Sequence, residues 1–95
     1  MSPHHEMRLS DKLDEIHLWG QTFFYWRDLY LWYGVQKIAA RTYRNIDKRW
    51  ADYSNEHELE KTELNVIVVS DSGAVFRRDL YAKERSNQFK LKNLG

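Results

Sequence analysis

Residues 16–35 read IHLWGQTFFYWRDLYLWYGV, and this stretch decides how the rest of the chain is interpreted. Thirteen of its 20 residues are apolar or aromatic, and eight of the chain's 14 aromatic residues lie in it. Gly20 and Gly34 are the two residues in it that weaken a helix most, at about 1 kcal/mol each. The stretch therefore predicts an aromatic-rich helix with more apolar surface than one buried stripe requires.

The same helical pattern continues well beyond this stretch. A row with alternating steps of four and three residues runs without a slip to Tyr53, which keeps it on one side of a helix. The row consists of Leu18, Thr22, Tyr25, Leu29, Trp32, Gln36, Ala39, Tyr43, Ile46, Trp50 and Tyr53. We predict one long N-terminal helix over residues 11–53, capped by Ser10 or Asp11, with a kink or break near Gly34 as the alternative. Residues 1–10 show no periodicity and are predicted to form a flexible tail.

The C-terminal half has a different pattern. Residues 54–62 are charged and predict a connector or a frayed helix end. Leu64–Val69 is short, apolar and β-branched, and Ala74–Tyr81 is interpreted as its partner strand. The sequence Ser-Asp-Ser-Gly at 70–73 predicts the turn, with Gly73 in a left-handed conformation. Residues 64–81 are therefore predicted to form a β-hairpin.

Residues 82–95 are predicted to be a short C-terminal tail, in which Phe89 and Leu91 alternate with lysines as in a short strand. An isolated two-stranded hairpin is marginal in water, so it must pack on the helix or pair with another strand. These elements predict an α+β fold in which residues 11–95 form a single small domain.

Composition and charge exclude several functional classes. The chain has 95 residues with 15 Lys and Arg against 14 Asp and Glu, which argues against a surface that binds polyanions as a whole. Without cysteine there is no disulfide framework, no thiolate zinc site and no cysteine nucleophile. Residues 1–15 do not resemble a signal peptide, and Arg27 and Asp28 oppose membrane insertion of the apolar stretch. We therefore expect a cytoplasmic or other intracellular location.

The aromatic residues predict a binding surface. A Phe, Tyr or Trp side chain buries about 150–250 Å², and one hairpin cannot cover every ring of the predicted helix. We therefore expect a non-catalytic accessory subunit or modulator, such as an inhibitor encoded by a phage or mobile element, that docks on a larger protein. A second copy of the chain is an alternative cover, a membrane surface is less favoured, and a tightly folded aromatic core is the structural alternative. The predicted partner-binding residues are Trp19, Phe23, Trp26, Arg27, Tyr30, Trp32 and Tyr33.

A basic stripe follows the aromatic residues on the same predicted helix face. Lys37, Arg41, Arg44 and Lys48 are spaced by four, three and four residues, and we predict that they contact acidic groups or phosphates. A solvated helix face and an acidic protein or lipid partner are the alternatives. The alternative function is a dimeric nucleic-acid-binding module that uses this stripe.

No catalytic, metal-binding or cofactor-binding motif is found in the sequence. None of the four histidines pairs with another at the spacing of a zinc-binding helix. The acidic pairs fall in charged stretches, where nothing raises a carboxyl pKa towards catalysis. We therefore expect no enzyme activity, no cofactor and no small-molecule substrate.

Overall fold

The computed structural model describes residues 1–60, 62–79 and 87–95. These residues form helices and a four-stranded antiparallel sheet, which confirms the predicted α+β class. The elements are α1 (Pro3–Trp19), β1 (Gln21–Tyr25), α2 (Trp26–Tyr33), α3 (Ala40–Glu56), β2 (Glu63–Ser70), β3 (Gly73–Asp79), β4 (Gln88–Lys90) and α4 (Leu91–Leu94). No helix in these ranges is long and apolar enough to cross a membrane.

The first helix begins at Pro3, so the prediction of a flexible tail over residues 1–10 is wrong. The Ser2 side chain accepts a hydrogen bond from the backbone N–H of His5 at 3.3 Å and caps the helix. Proline is well suited to the first helical position because its φ is already helical and its missing N–H has no partner there. The Ser-Pro pair thus begins α1 eight residues before the predicted cap at Ser10.

The prediction of one helix over residues 11–53 is also wrong, because α1 ends at Trp19. Gly20 has φ 87°, and its N–H donates to the carbonyl of Ile16. This left-handed conformation is nearly free of steric cost only for glycine, and it turns the chain out of the helix. The residues that follow, Gln-Thr-Phe-Phe-Tyr, then form β1 and pair with β3.

The predicted break near Gly34 is confirmed. Gly34 has φ 63° and ends α2, and α3 begins six residues later at Ala40. The predicted connector 54–62 is too long at its start, because α3 continues to Glu56. Glu58 then adopts φ 53°, and Leu59 packs against the core after the turn.

The predicted hairpin is confirmed in the described residues, with β2 and β3 joined through Asp71 and Ser72. Residues 80 and 81 of the predicted second strand lie outside the described residues. Gly73 is not left-handed, which corrects that expectation. Its role is close approach, since a Cβ there would collide with the carbonyl oxygen of Phe24 and lie 2.8 Å from the Phe23 ring.

The strand order is β1-β3-β2-β4, so the hairpin occupies the centre of the sheet. The short strand predicted around Phe89 is confirmed as β4, with Phe89 opposite Val66. Residues 82–86 of the predicted tail lie outside the described residues. The hairpin therefore obtains a strand on each side, which removes the marginal stability of an isolated pair.

The two faces of the sheet differ in what covers them. Phe24, Phe76 and Val66 point to one face and are fully buried with the helix residues of the core. We call the opposite side the outer face, where Phe23, Val75 and Ile67 lie in one cross-strand row. These three side chains are half-buried and do not belong to the buried core of the described residues.

Polar contacts join helix α1 to the edge strand β1. The Lys12 Nζ donates to the carbonyl of Phe23 at 2.9 Å, and the Thr22 hydroxyl donates to Glu15. The carbonyl of Phe23 points away from β3, so the Lys12 contact satisfies one acceptor on the free edge of the sheet. A lysine at an edge also opposes pairing with a foreign strand.

The structure predicts different outcomes for alanine at two glycines. Gly20→Ala should lower the free energy of unfolding by roughly 1 kcal/mol, because the site is open and only the left-handed φ is penalised. Gly73→Ala should cost about 3 kcal/mol, because the new methyl group overlaps the Phe24 backbone and the Phe23 ring. Urea denaturation measures both, and a milder effect of Gly73→Ala than of Gly20→Ala would contradict the described packing.

Candidate functional site

The structure separates the predicted partner-binding residues instead of aligning them on one helix face. Among the described residues Trp19 is the most exposed of the large apolar side chains, at 75%, and its neighbour Leu18 is 67% exposed. Trp32 is only 6% exposed, and its ring lies edge-on to Phe24 with centroids 6.3 Å apart. In this fold Trp32 is a core residue and is not available as a docking anchor.

Phe23 and Arg27 form a small cluster with Tyr25 near the outer face. The Phe23 and Tyr25 rings meet edge-on at a centroid distance of 4.9 Å. The Arg27 guanidinium lies over the Tyr25 ring at 4.8 Å, a cation–π contact on an exposed side chain. Arg27 itself lies in the first turn of α2.

The remaining predicted aromatic residues are half-buried on α2. Trp26 and Tyr33 pack against the core, and Tyr30 is partly exposed. The Tyr33 hydroxyl donates to the side-chain oxygen of Asn45 at 2.8 Å. Tyr33 thus joins the end of α2 to the middle of α3.

Arg49 is the centre of a polar cluster that joins three helices. Its guanidinium makes a bidentate contact with Glu6 of α1, with one N···O distance of 2.9 Å. Its Nε donates to Asn45 at 2.6 Å, on the same oxygen that accepts from Tyr33. Bidentate arginine–carboxylate pairs are among the more directional polar contacts, so this cluster sets how α1, α2 and α3 meet.

This cluster shifts the pKa values of its members. The hydrogen bond from Arg49 lowers the pKa of the Glu6 carboxyl and, reciprocally, raises the pKa of the Arg49 guanidinium. Burial raises the pKa of the Tyr33 phenol to about 12, against the opposing effect of the Arg49 charge. The carboxylate and guanidinium are therefore charged, and the phenol is neutral, throughout the physiological pH range.

A basic cleft lies beside this cluster, and it contains most of the predicted basic stripe. Its volume is about 630 Å³. The residues that line the basic cleft are Met1, Glu6, Tyr33, Gly34, Val35, Arg41, Thr42, Arg44, Asn45, Lys48 and Arg49. Arg41, Arg44 and Lys48 share it because positions three and four apart on a helix lie on the same side. Lys37 does not line it, since it precedes α3 in the connector after Gly34.

Glu6 and Arg49 were not predicted as site residues. Glu6 falls in the stretch interpreted as a tail, so no sequence pattern placed it beside α3. Asn45 carried a weak signal, since it lies one helical turn from Arg41 and from Lys48. Arg49 directly follows Lys48 and lies one turn from Asn45.

Two histidines gather at the end of α3. The His57 ring stacks on Tyr53 with centroids 4.0 Å apart, and His17 lies 6.3 Å from His57. In the described ranges no three His, Asp or Glu side chains come together in a way that could hold a metal ion. The absence of enzyme activity and of a cofactor stays a prediction.

No protein-family model, curated protein or solved structure matches this chain. Its function is therefore argued from its own residues.

The buried tyrosines predict a loss of stability at alkaline pH. Burial and the hydrogen bond to Asp14 raise the pKa of Tyr53 to about 12, as burial does for Tyr33. The unfolded chain ionises these phenols near pH 10, so the free energy of unfolding should fall as pH rises from 10 towards 12. The expected loss between pH 10 and pH 11 is roughly 1 kcal/mol per phenol.

Urea denaturation at a series of alkaline pH values measures this loss. The double variant Tyr33→Phe/Tyr53→Phe should show a flatter pH dependence than the wild type. Equal pH dependence of the wild type and the double variant would contradict the burial of the two hydroxyls.

Proposed function

We propose that this protein is a non-catalytic binding module that docks on a larger protein as an accessory subunit or modulator. The observation that carries the proposal is the exposure of Trp19 at 75% beside Leu18 at 67%. Tryptophan is enriched among the residues that dominate interface energies, and it is seldom left largely exposed without a role. The proposal includes the predicted cytoplasmic or other intracellular location.

The distribution of exposed apolar side chains favours a larger partner over a second copy of the chain. Trp19 precedes β1 at one end, where Gln21 pairs with Arg77, and Tyr25 lies at the other end, opposite Gly73. The two ends of β1 are about 13 Å apart at the rise of an extended strand. A large protein can contact both ends of this edge at the same time.

The docking surface therefore differs from the predicted aromatic helix face. It consists of the C-terminal end of α1 and the outer face beside β1, with Trp19, Phe23, Tyr25 and Arg27 as its central residues. Arg27 supplies a cation at its rim, and arginine is also enriched at interfaces. The predicted anchors Trp26, Tyr30 and Tyr33 are half-buried on α2 and are not central residues of this surface.

The basic cleft favours a second candidate, the nucleic-acid-binding module. Arg41, Arg44 and Lys48 side by side could neutralise backbone phosphates. This candidate requires an affinity that falls steeply with salt and a bound fraction that nuclease removes. Docking through apolar side chains requires neither, so the two candidates are separable.

Substitution of Trp19 tests the proposal. The tagged wild-type chain, Trp19→Ala and the control Met7→Ala are used to capture proteins from the source cells at equal bait concentration. Met7 is a matched control because it lies on the same helix and is 65% exposed. One protein should be retained by the wild type and by Met7→Ala, and Trp19→Ala should weaken its binding by about 2 kcal/mol, roughly 30-fold.

Two results count against the proposal. Retention of the same protein by Trp19→Ala at the wild-type level would remove Trp19 from the interface. Loss of all bound material after nuclease treatment would favour the nucleic-acid-binding module instead. Circular dichroism of both variants checks that the fold is retained, which is expected because both side chains lie at the surface.

A further inference from the structure

We infer that the basic cleft binds a phosphate monoester carried by a protein, such as a phosphorylated serine of the docking partner. The inference rests on the proposed function only in naming a protein as the source of the phosphate. The chemistry of the site stands on the side chains of the cleft itself.

The cleft holds positive charge that the described chain does not neutralise. Arg41 is exposed and forms no ion pair or hydrogen bond with any described residue. Arg44 donates from Nη1 to the main-chain oxygen of Gly95 at 3.0 Å, and it forms no ion pair with an Asp or Glu side chain of the described residues. Lys48 pairs only with Asp52 one turn away, and that pair is 75% and 59% exposed, so it holds the lysine weakly.

Two neutral donors line the same cleft. The Thr42 side chain is buried, with 4% exposure, and Thr42 lines the cleft. The side-chain oxygen of Asn45 already accepts from Tyr33 and Arg49, which leaves its amide nitrogen as a donor. A ligand with several acceptor oxygens would satisfy both groups.

The first turn of α3 carries a positive charge, which destabilises the helix. The positive end of a helix favours Asp and Glu, yet α3 has no acidic residue in its first turn and no side-chain cap at Ala39. Arg41 lies in that turn, and Arg44 follows one turn later. Departures from local stability rules without a compensating contact are typical of functional sites, and a bound anion supplies the missing compensation.

The charge pattern favours a compact, multiply charged anion over an extended polyanion. A phosphate monoester carries about −1.5 to −2 charges and three acceptor oxygens, which matches two or three cations and the neutral donors. The carboxylate of Glu6 occupies Arg49 and interrupts the positive surface on one side. The whole chain carries a net charge of only +1, so its overall charge does not favour an extended polyanion.

Nuclear magnetic resonance titration of the ¹⁵N-labelled full chain tests the inference. The probe is a glycine pentapeptide with one central phosphoserine, compared with the same peptide carrying serine or glutamate, with inorganic phosphate and with a single-stranded oligothymidine. The phosphopeptide and inorganic phosphate should give saturable shifts at residues 41–49, and the serine and glutamate peptides should not saturate. Arg41→Gln/Arg44→Gln should weaken phosphopeptide binding at least about tenfold.

A matched control isolates the cleft from overall charge. Arg8 on α1 is also exposed and has no partner among the described residues, so Arg8→Gln removes the same charge elsewhere. It should leave phosphopeptide binding within about twofold of wild type, since a distant exposed charge is screened. Trp19→Ala should also leave it unchanged, so failure at the cleft and failure of the docking proposal are distinguishable.

Several results overturn the inference. They are the absence of saturation, equal binding of the glutamate peptide, equal loss in Arg8→Gln, and tighter, steeply salt-dependent binding of the oligothymidine at the same residues.

Arg41→Glu adds an independent readout in the free protein. It should raise the Tm by roughly 2–5 °C while abolishing phosphopeptide binding, because an acidic residue suits the first turn of α3; a lower Tm would contradict the charge argument.

Discussion

The pairing of β1 with β3 is the interaction on which the rest of the structure depends. It places Phe24 against Phe76 with ring centroids 4.7 Å apart, and both side chains are fully buried. It also provides the surface on which α1 packs, since α1 is joined to β1 through Lys12 and Thr22. Gly20 allows this pairing, because its left-handed conformation ends α1 and lets the chain continue as β1.

The same pairing decides which aromatic side chains become core and which become surface. Successive residues of a strand point to opposite faces, so Phe24 enters the core while Phe23 and Tyr25 remain on the outer side. A helix over this stretch would have distributed the same rings around its circumference. The two-residue period of the strand therefore decides which rings of β1 are exposed. Trp19 lies just before this strand begins.

The sequence predicted the elements whose patterns are local and uninterrupted. The positions Ile46, Trp50 and Tyr53 of the apolar row are buried on α3, and the β-branched run after Leu64 forms β2. The helix predicted from this row was wrong between Leu18 and Tyr25, both of which are exposed. A 3.5-residue repeat can match by chance the two-residue period of a short strand. A glycine followed by Gln-Thr-Phe-Phe-Tyr was the overlooked signal, since Thr, Phe and Tyr favour strands.

The candidate site was predicted only in part, for a related reason. Arg41, Arg44 and Lys48 lie within one helix, and their spacing alone placed them on one side of it. Glu6 and Tyr33 come to the same cleft from other helices, and no local pattern reports such tertiary contacts. A positive charge in the first turn of a helix, as at the start of α3, is unfavourable for the helix dipole. Sequence analysis could have used this feature once the helix boundary was known.

The most direct test of the account is a nuclear Overhauser measurement between the Hα protons of Phe23 and Val75. These residues are directly opposite in the β1–β3 register, and their hydrogen-bonding groups point away from each other. Such pairs have Cα atoms about 4.5 Å apart, so a strong cross-peak is expected. Absence of this cross-peak, together with helical contacts from Trp19 to Phe23, would contradict the strand and the division of aromatic side chains that follows from it.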